Sequence, residues 1–411
     1  MATPSCTTRF AQSIRPHLQS IARSSGLPRP SNHIRPPPRM PSKYRKLSTT
    51  PVLGSQQPPK QFTYNVAASY IAKDRPYDPS THIFHFNPYN RVQPPRKHTK
   101  RTRPDSGQDA FFVTRLNGTG GVALGVADGV GGWMDSGVDP ADFSHGFCDY
   151  MAEAAYSHKS NSNGKPQALS ARSLMQTGYE AICADPAVTA GGSTAIVGLL
   201  EPGGTLEVAN LGDSGYIHLR LNAVHGSSEP QTHAFNTPFQ LSIIPPWILR
   251  RMSAFGGSQL ADMPADAEVS RHSLRHGDVL VFATDGVWDN LFNQDILRIV
   301  SAAMERSGAW VHSDAGGIRV RPDLSAYTSG PSGGDGDGGK AVSLQSLIAT
   351  SITAAAKAAS VNTKLDGPFA KEVKKYYPME TWRGGKVDDI CVVAVVVSET
   401  TPDDAPVKAK L

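Results

Sequence analysis

Residues 121–133, GVALGVADGVGGW, carry an apolar run out to a single acid, Asp128, and follow it with Gly129, Gly131 and Gly132. Such a run predicts a buried strand, and glycines let the backbone turn and approach another group closely. The device recurs at 280–291, LVFATDGVWDNL, where a strand delivers Asp285, and again at 387–397, where Val387-Asp388-Asp389 opens the apolar run 390–397. Three acids at the tips of three buried strands constrain the fold, because the acids meet wherever those strand ends meet. Taken alone, the first stretch also fits a degraded dinucleotide loop or a helix-capping aspartate, so the partners must carry the reading.

Residues 110–116 and 121–128 read as two strands joined by a turn at 117–120, with Asp109 at the start of one and Asp128 at the end of the other. Antiparallel pairing places those two acids side by side. Asp139-Pro140 supplies an N-cap and a first-turn proline for a helix to about Ser157, and a second helix fits 169–184. Strands at 194–200, 206–211 and 216–221 read as a three-strand meander with Asp213 at the tip of its second turn. Residues 222–265 read as an irregular flap bearing Trp247. Strands at 270–274 and 278–284 then lead to Asp285. Helices at 294–306, 343–360 and 369–377 precede the closing strand at 390–398, and 307–340, rich in Gly, Ser and Asp, reads as a flexible insertion. Asp335 and Asp337 lack the terminal Glu of an EF-hand loop.

Charge narrows the function. The formal charge is +5, yet residues 1–48 hold seven Arg, two Lys and no acid, so the remainder sums to about −4 (+5 − 9). A nucleic-acid-binding domain should be basic where it folds, which this one is not. Phe10, Ile14, Leu18 and Ile21 fall at helical spacing among arginines, the pattern of a mitochondrial transit peptide over 1–48, with a disordered basic tail as the alternative. Residues 49–104 read as an extended, proline-rich lead-in that lays short strands, around aromatic clusters at Phe62, Tyr64 and Tyr70 and at Phe84, Phe86 and Tyr89, against a main domain over 105–398, with a tail over 399–411. No apolar run reaches the roughly 20 residues of a membrane span. Cys6, Cys148, Cys183 and Cys391 are few and scattered, as in a reducing compartment, and they form no zinc pattern. Six residues after them stand Gln12, Ala154, Thr189 and Val397, so the Arg that follows a catalytic cysteine in cysteine phosphatases is absent.

Asp109, Asp128, Asp213, Asp285 and Asp388 therefore each occupy a strand end or tight turn. Burying such acids together costs several kcal/mol per uncompensated ion, so they either stay apart or share cations. With oxygen donors only, those cations are hard ions such as Mg2+ or Mn2+.

At this point the chain resembles a known family. GVADGVGGW, GGSTAIVGLL at 191–200, LEVANLGDSGYIHLR at 206–220, LVFATDGVWDNL and VDDICVVAVVV match, in order, the motifs of the metal-dependent protein phosphatase 2C family, over about residues 105–398. The DGVGGW motif is similar to that of its mitochondrial branch. The resemblance implies an α+β fold, a four-layer α-β-β-α sandwich with two central antiparallel sheets. It implies a serine/threonine phosphatase that uses two Mg2+ or Mn2+ ions, with room for a third. Asp128 would bridge the two ions and the Gly129 carbonyl would bind the second. Asp285 and Asp388 would complete the first, Asp109 would serve the second, and Asp213 would join the third. Asp128 and Asp285 would act in catalysis through water held by the metals, with Arg103 gripping the substrate phosphate. Two ions roughly 3.5–4 Å apart can activate water near neutral pH for in-line attack. Substrates would be phosphorylated mitochondrial proteins of the matrix, including those controlling coenzyme Q synthesis. Three departures stand out: Val130 where many members carry a general-acid His, Gln108 where many carry Glu, and Arg103 or Arg101 as only an approximate match to the upstream Arg that grips substrate phosphate. They leave a second reading, a weak or silent phosphatase fold that binds phosphoproteins or a partner enzyme.

Overall fold

A computed structural model of the chain describes residues 60–86, 99–116, 119–158, 169–254, 261–314, 316–329 and 342–400. The segment read as a transit peptide lies outside them. In chain order, β1 (Phe62–Ile71) and β2 (Ile83–His85) precede the hairpin of β3 (Asp109–Arg115) and β4 (Val122–Asp128). Helices α1 (Pro140–Ser157) and α2 (Ala171–Ala184) follow, then β5 (Gly191–Ser193), β6 (Ala195–Leu200), β7 (Thr205–Leu211) and β8 (Gly215–Arg220). The flap region holds β9 (Ala223–Ser227), β10 (Thr232–Ala234), β11 (Thr237–Pro238), β12 (Leu241–Ile243) and α3 (Pro246–Ala254). After β13 (Glu268–Ser273) and β14 (Val279–Ala283) come α4 (Asp285–Trp288), α5 (Asn293–Arg306), β15 (Trp310–His312), β16 (Ile318–Val320) and α6 (Ser325–Thr328). The order ends with α7 (Leu344–Ser360), α8 (Pro368–Tyr376) and β17 (Ile390–Glu399).

Two antiparallel sheets dominate. One has six strands in the order β2-β1-β17-β14-β8-β9, the other five in the order β13-β7-β6-β4-β3. The last strand explains how they pack. Val393, Val395 and Val397 join Tyr64, Val66 and Phe282 of the first sheet and Leu124, Val126, Ile196 and Val208 of the second in one core. Val392, Ala394 and Val396 instead pack with Ile296, Val300, Ile348 and Ile352 of α5 and α7. A strand buried on both faces loses its polar alternation, which is why 390–397 reads as an unbroken apolar run. On the second sheet Ala123, Ala127, Val197 and Ala209 meet Phe143, Phe147, Met151, Leu174 and Met175 of α1 and α2. The α1 cap is as the sequence reads, with Asp139 accepting from the Ala141 amide and Pro140 in the first turn.

Three expectations change. The domain boundary at 105 falls inside the sheet, since β1 pairs along its whole length with β17. Its central residues, such as Ala67 and Ala68, are too small to announce a core strand, yet both are fully buried. The three-strand meander is divided, because β7 pairs with β6 and β13 in one sheet while β8 pairs with β14 and β9 in the other. The chain crosses between sheets at the turn bearing Asp213. There Gly212 has φ +105°, and a Cβ would stand 2.7 Å from the Phe239 carbonyl oxygen. The insertion read as flexible from 307 includes the β15–β16 hairpin. Trp310 of that hairpin is 1% exposed and donates from Nε1 to the Gly277 carbonyl.

Candidate metal centre

The hairpin does what the spacing requires: Asp109 and Asp128 are direct partners in the β3–β4 register. Asp128 is fixed through its backbone. Its amide donates to Thr194 Oγ1 at 3.1 Å, while its carbonyl accepts from the Thr194 amide at 2.9 Å and from Ser193 Oγ at 2.8 Å. Of the three glycines that follow, Gly129 is the one sterically required. A Cβ there would lie 2.9 Å from the carbonyl oxygens of Gln108 and Pro140, whereas at Gly132 nothing stands within 4 Å.

Asp285 is the first residue of α4, directly after β14, and Asp388 lies just before β17, the strand paired with β14. Their approach depends on Gly286, whose Cβ would sit 2.0 Å from the Asp389 carbonyl oxygen. Thr284 ties this sheet to the other, donating from Oγ1 to Asp109 Oδ2 at 2.7 Å and accepting from the Cys391 amide at 3.0 Å.

The acids crowd one another. Burial pushes the Asp128 carboxyl well above the usual range, reinforced by Asp285, Asp109, Asp388 and Asp213. Asp109 is raised likewise by burial and then by Asp389, Asp285 and Asp388. Asp213 is raised by burial and by Asp285 and Asp289, and its Oδ1 is buried without a hydrogen-bond partner. All five sequence-nominated acids thus belong to one cluster.

Three participants were not nominated. Lys386 places Nζ 2.6 Å from Asp285 Oδ2, 2.7 Å from Asp289 Oδ2 and 3.1 Å from Asp388 Oδ2. Although burial works against the charged form of Asp285, this ammonium, together with hydrogen bonds from Asp128 and Asp289, holds that carboxyl below its ordinary value. Asp289, one helical turn after Asp285, is pushed up to about 7, by burial first and by Asp285 next, against the pull of Lys386. Asp389 is a staple: Oδ1 accepts from the Lys73 amide at 2.7 Å and Oδ2 from the Gln108 amide at 2.9 Å. In this arrangement no three His, Cys, Asp or Glu side chains among the described residues surround a common ion position, and the Lys386 ammonium stands among three of the acids. The donor set nevertheless fits a hard cation. It is all oxygen, its acids repel one another, and the buried Asp213 oxygen has no hydrogen-bond donor.

Arg103 is placed differently from its expected role. Its guanidinium meets Asp142 Oδ1 at 2.9 Å, beside Lys100, which pairs with the same carboxylate at 2.8 Å. Its charge is therefore balanced at the start of α1. Lys73, just after β1, has its Nζ 4.0 Å from Asp388 Oδ1 and is about one-third exposed. No helix among the described residues is long and apolar enough to cross a membrane.

No family model matches the chain. Among curated proteins it is 35% identical over 243 residues to the mitochondrial protein phosphatase 2C homologue 7 of Saccharomyces cerevisiae, covering 59% of this chain and 65% of that protein. It is 38% identical over 225 residues to the protein phosphatase PTC7 homologue of Danio rerio, covering 54% of this chain and 70% of that protein. Among solved structures, the photosystem II phosphatase PBCP superposes with a TM-score of 0.52 at 22% identity, covering 81% of this chain and 98% of the other. That last likeness is one of fold.

Proposed function

This chain belongs to the protein phosphatase 2C family, and we infer from that premise that it hydrolyses phosphoserine and phosphothreonine esters of proteins with the help of divalent cations. The observation carrying the reading is the convergence of Asp109, Asp128, Asp285 and Asp388 from both sheets into one buried, mutually repelling cluster. Two Mg2+ or Mn2+ ions held by these acids and the Gly129 carbonyl would polarise water and phosphate oxygens for hydrolysis. The chain's own residues fix the donors in place: Thr194 and Ser193 hold the Asp128 backbone, Thr284 holds Asp109, and Asp389 closes the 107–108 turn against the end of β1.

The substrate phosphate needs a cation that is not already committed. Arg103 is paired with Asp142 and Lys386 with three acids, whereas Lys73 makes one loose ion pair at the rim of the cluster. Lys73 therefore takes the phosphate-gripping role that the family resemblance implied for Arg103. Lys73→Met should raise KM for a phosphopeptide roughly ten- to a hundredfold, the loss of one charge-assisted contact worth ~1.5–3 kcal/mol, while Arg103→Met should change KM little. A larger rise in KM from Arg103→Met than from Lys73→Met would return the role to Arg103.

We place the protein in mitochondria, with the matrix as its compartment. This rests on the acid-free, arginine-rich residues 1–48 and on the yeast relative named as mitochondrial. Fusing residues 1–48 to a fluorescent reporter tests this, and a reporter that stays in the cytosol would refute it. The enzymatic reading is tested by incubating protein lacking residues 1–48 with a phosphothreonine peptide and Mn2+. Phosphate release that stops on chelation is expected. Metal-independent release would contradict the reading, and no release with intact phosphopeptide binding would favour a silent binding protein.

A further inference from the structure

We propose that Lys386 is a built-in cation of this centre, occupying with its ammonium the position a third divalent ion would take and so limiting the chain to two. The proposal rests on the metal-dependent reading above. An ammonium has three protons to donate, and here three carboxylate oxygens, on Asp285, Asp289 and Asp388, lie within 2.6–3.1 Å of Nζ.

This lysine is held in place. Its amide donates to Asn290 Oδ1 at 3.0 Å, and Asn290 Nδ2 donates to the carbonyls of Lys386 and Gly286, each at 2.9 Å. Asn290 immediately follows Asp289, so the backbone carrying the ammonium is clamped to the segment carrying its acids. Nζ also lies 5.2 Å from the centroid of the Phe369 ring, whose face favours a cation. The side chain is 15% exposed.

Position and charge then argue together. A hard divalent ion binds oxygen at about 2.0–2.6 Å. It cannot share Asp285 Oδ2 and Asp289 Oδ2 with an ammonium already at hydrogen-bond distance from both, whereas the first ion would use Asp285 Oδ1 and Asp388 Oδ1, the oxygens Nζ does not engage. Asp213, which feels the charges of Asp285, Asp289 and Lys386, has a buried Oδ1 with no hydrogen-bond donor, so it is a further oxygen for a divalent ion once the ammonium is removed. Without Lys386 these acids would face one another with nothing between them, and a further divalent ion would relieve their repulsion.

Counting bound Mn2+ by calorimetry, and by the resonance of free Mn2+ at equilibrium, tests the proposal on protein lacking residues 1–48. Wild type should bind two ions and Lys386→Met three, while Lys386→Arg, which keeps the charge, should stay at two. Metal-free Lys386→Met should melt below wild type, and Mn2+ should raise its Tm by more. Equal counts in wild type and Lys386→Met would overturn the proposal. If Lys386→Met does not fold without metal, Lys386→Gln purified in Mn2+ gives the same count. A protein that binds two ions, gains the third in the variant and yet hydrolyses no phosphopeptide would support this proposal while sinking the phosphatase reading. A wild type that binds no divalent ion would sink both.

Discussion

Val130 follows the Asp128-Gly129 pair, and its amide donates to the Gly192 carbonyl, so the backbone there is fixed while the side chain has no proton to give. A serine or threonine leaving group needs a proton, whereas p-nitrophenolate does not. Val130→His should therefore raise kcat on a phosphothreonine peptide by about tenfold or more and leave p-nitrophenyl phosphate hydrolysis nearly unchanged. An equal gain on both substrates would mean that the imidazole acts in some other way. Gly286 gives a second prediction at this scale. A methyl group 2.0 Å from the Asp389 carbonyl oxygen cannot be accommodated, so Gly286→Ala should cost ~1–3 kcal/mol and weaken Mn2+ binding by separating Asp285 from Asp388. Tm and calorimetry on the variant check both effects. Asp109, Asp128, Asp213, Asp285 and Asp388 were legible because each ends a strand or tips a turn, a position visible in pattern. Asp289, Asp389 and Lys386 were not, because their importance lies in which distant groups they touch, and a pair such as Asp388-Asp389 divides into ligand and staple only when the chain is folded.

Among the elements, β14 carries charge at both ends. Asp285 follows it, and Asp278 precedes it, fully buried, accepting from Arg220 Nε and Nη2 at 2.7 Å, from the Arg275 amide at 2.7 Å and meeting His218 Nε2 at 2.9 Å. Burial alone would raise the Asp278 carboxyl, but Arg220 and His218 outweigh it and hold it below the usual range. Because the folded value is depressed, the stability this group supplies is complete above its unfolded pKa of about 4 and is lost as the pH falls through the lower folded value. Asp278→Asn should destabilise the protein by ~3–5 kcal/mol at neutral pH, with the gap to wild type closing in denaturant titrations below about pH 4. A gap that does not change with pH would assign the effect to packing. Helices α1, α2, α5, α7 and α8 were read to within about two residues from caps and periodicity, since those signals are local. Which sheet a buried strand joins is a long-range fact, and the crossing at Gly212 left no local trace that would divide the meander.

For the whole molecule, β1 decides where the folded unit begins. It contributes Phe62, Tyr64, Val66 and Ala68 to the core between the sheets and covers one edge of β17. A chain starting at residue 60 should give a single cooperative melt, whereas one starting at 105 should aggregate through the uncovered β17. Size-exclusion chromatography and circular dichroism distinguish the two, and a cooperative melt from the shorter chain would contradict this account of β1. The centre exists only because the whole fold exists: Asp109 and Asp128 come from one sheet, Asp285 and Asp388 from the other, and Thr284 ties them across the gap. The central claim is that these acids form one cation-dependent hydrolytic site. Its most direct test is a paired measurement on Asp128→Asn, Mn2+ affinity by calorimetry and phosphothreonine-peptide turnover, alongside wild type of equal Tm. Joint loss, with turnover falling at least about a thousandfold, ~4 kcal/mol of barrier, is predicted. A variant that keeps wild-type turnover, or that loses turnover while binding Mn2+ as tightly as wild type, would contradict the claim.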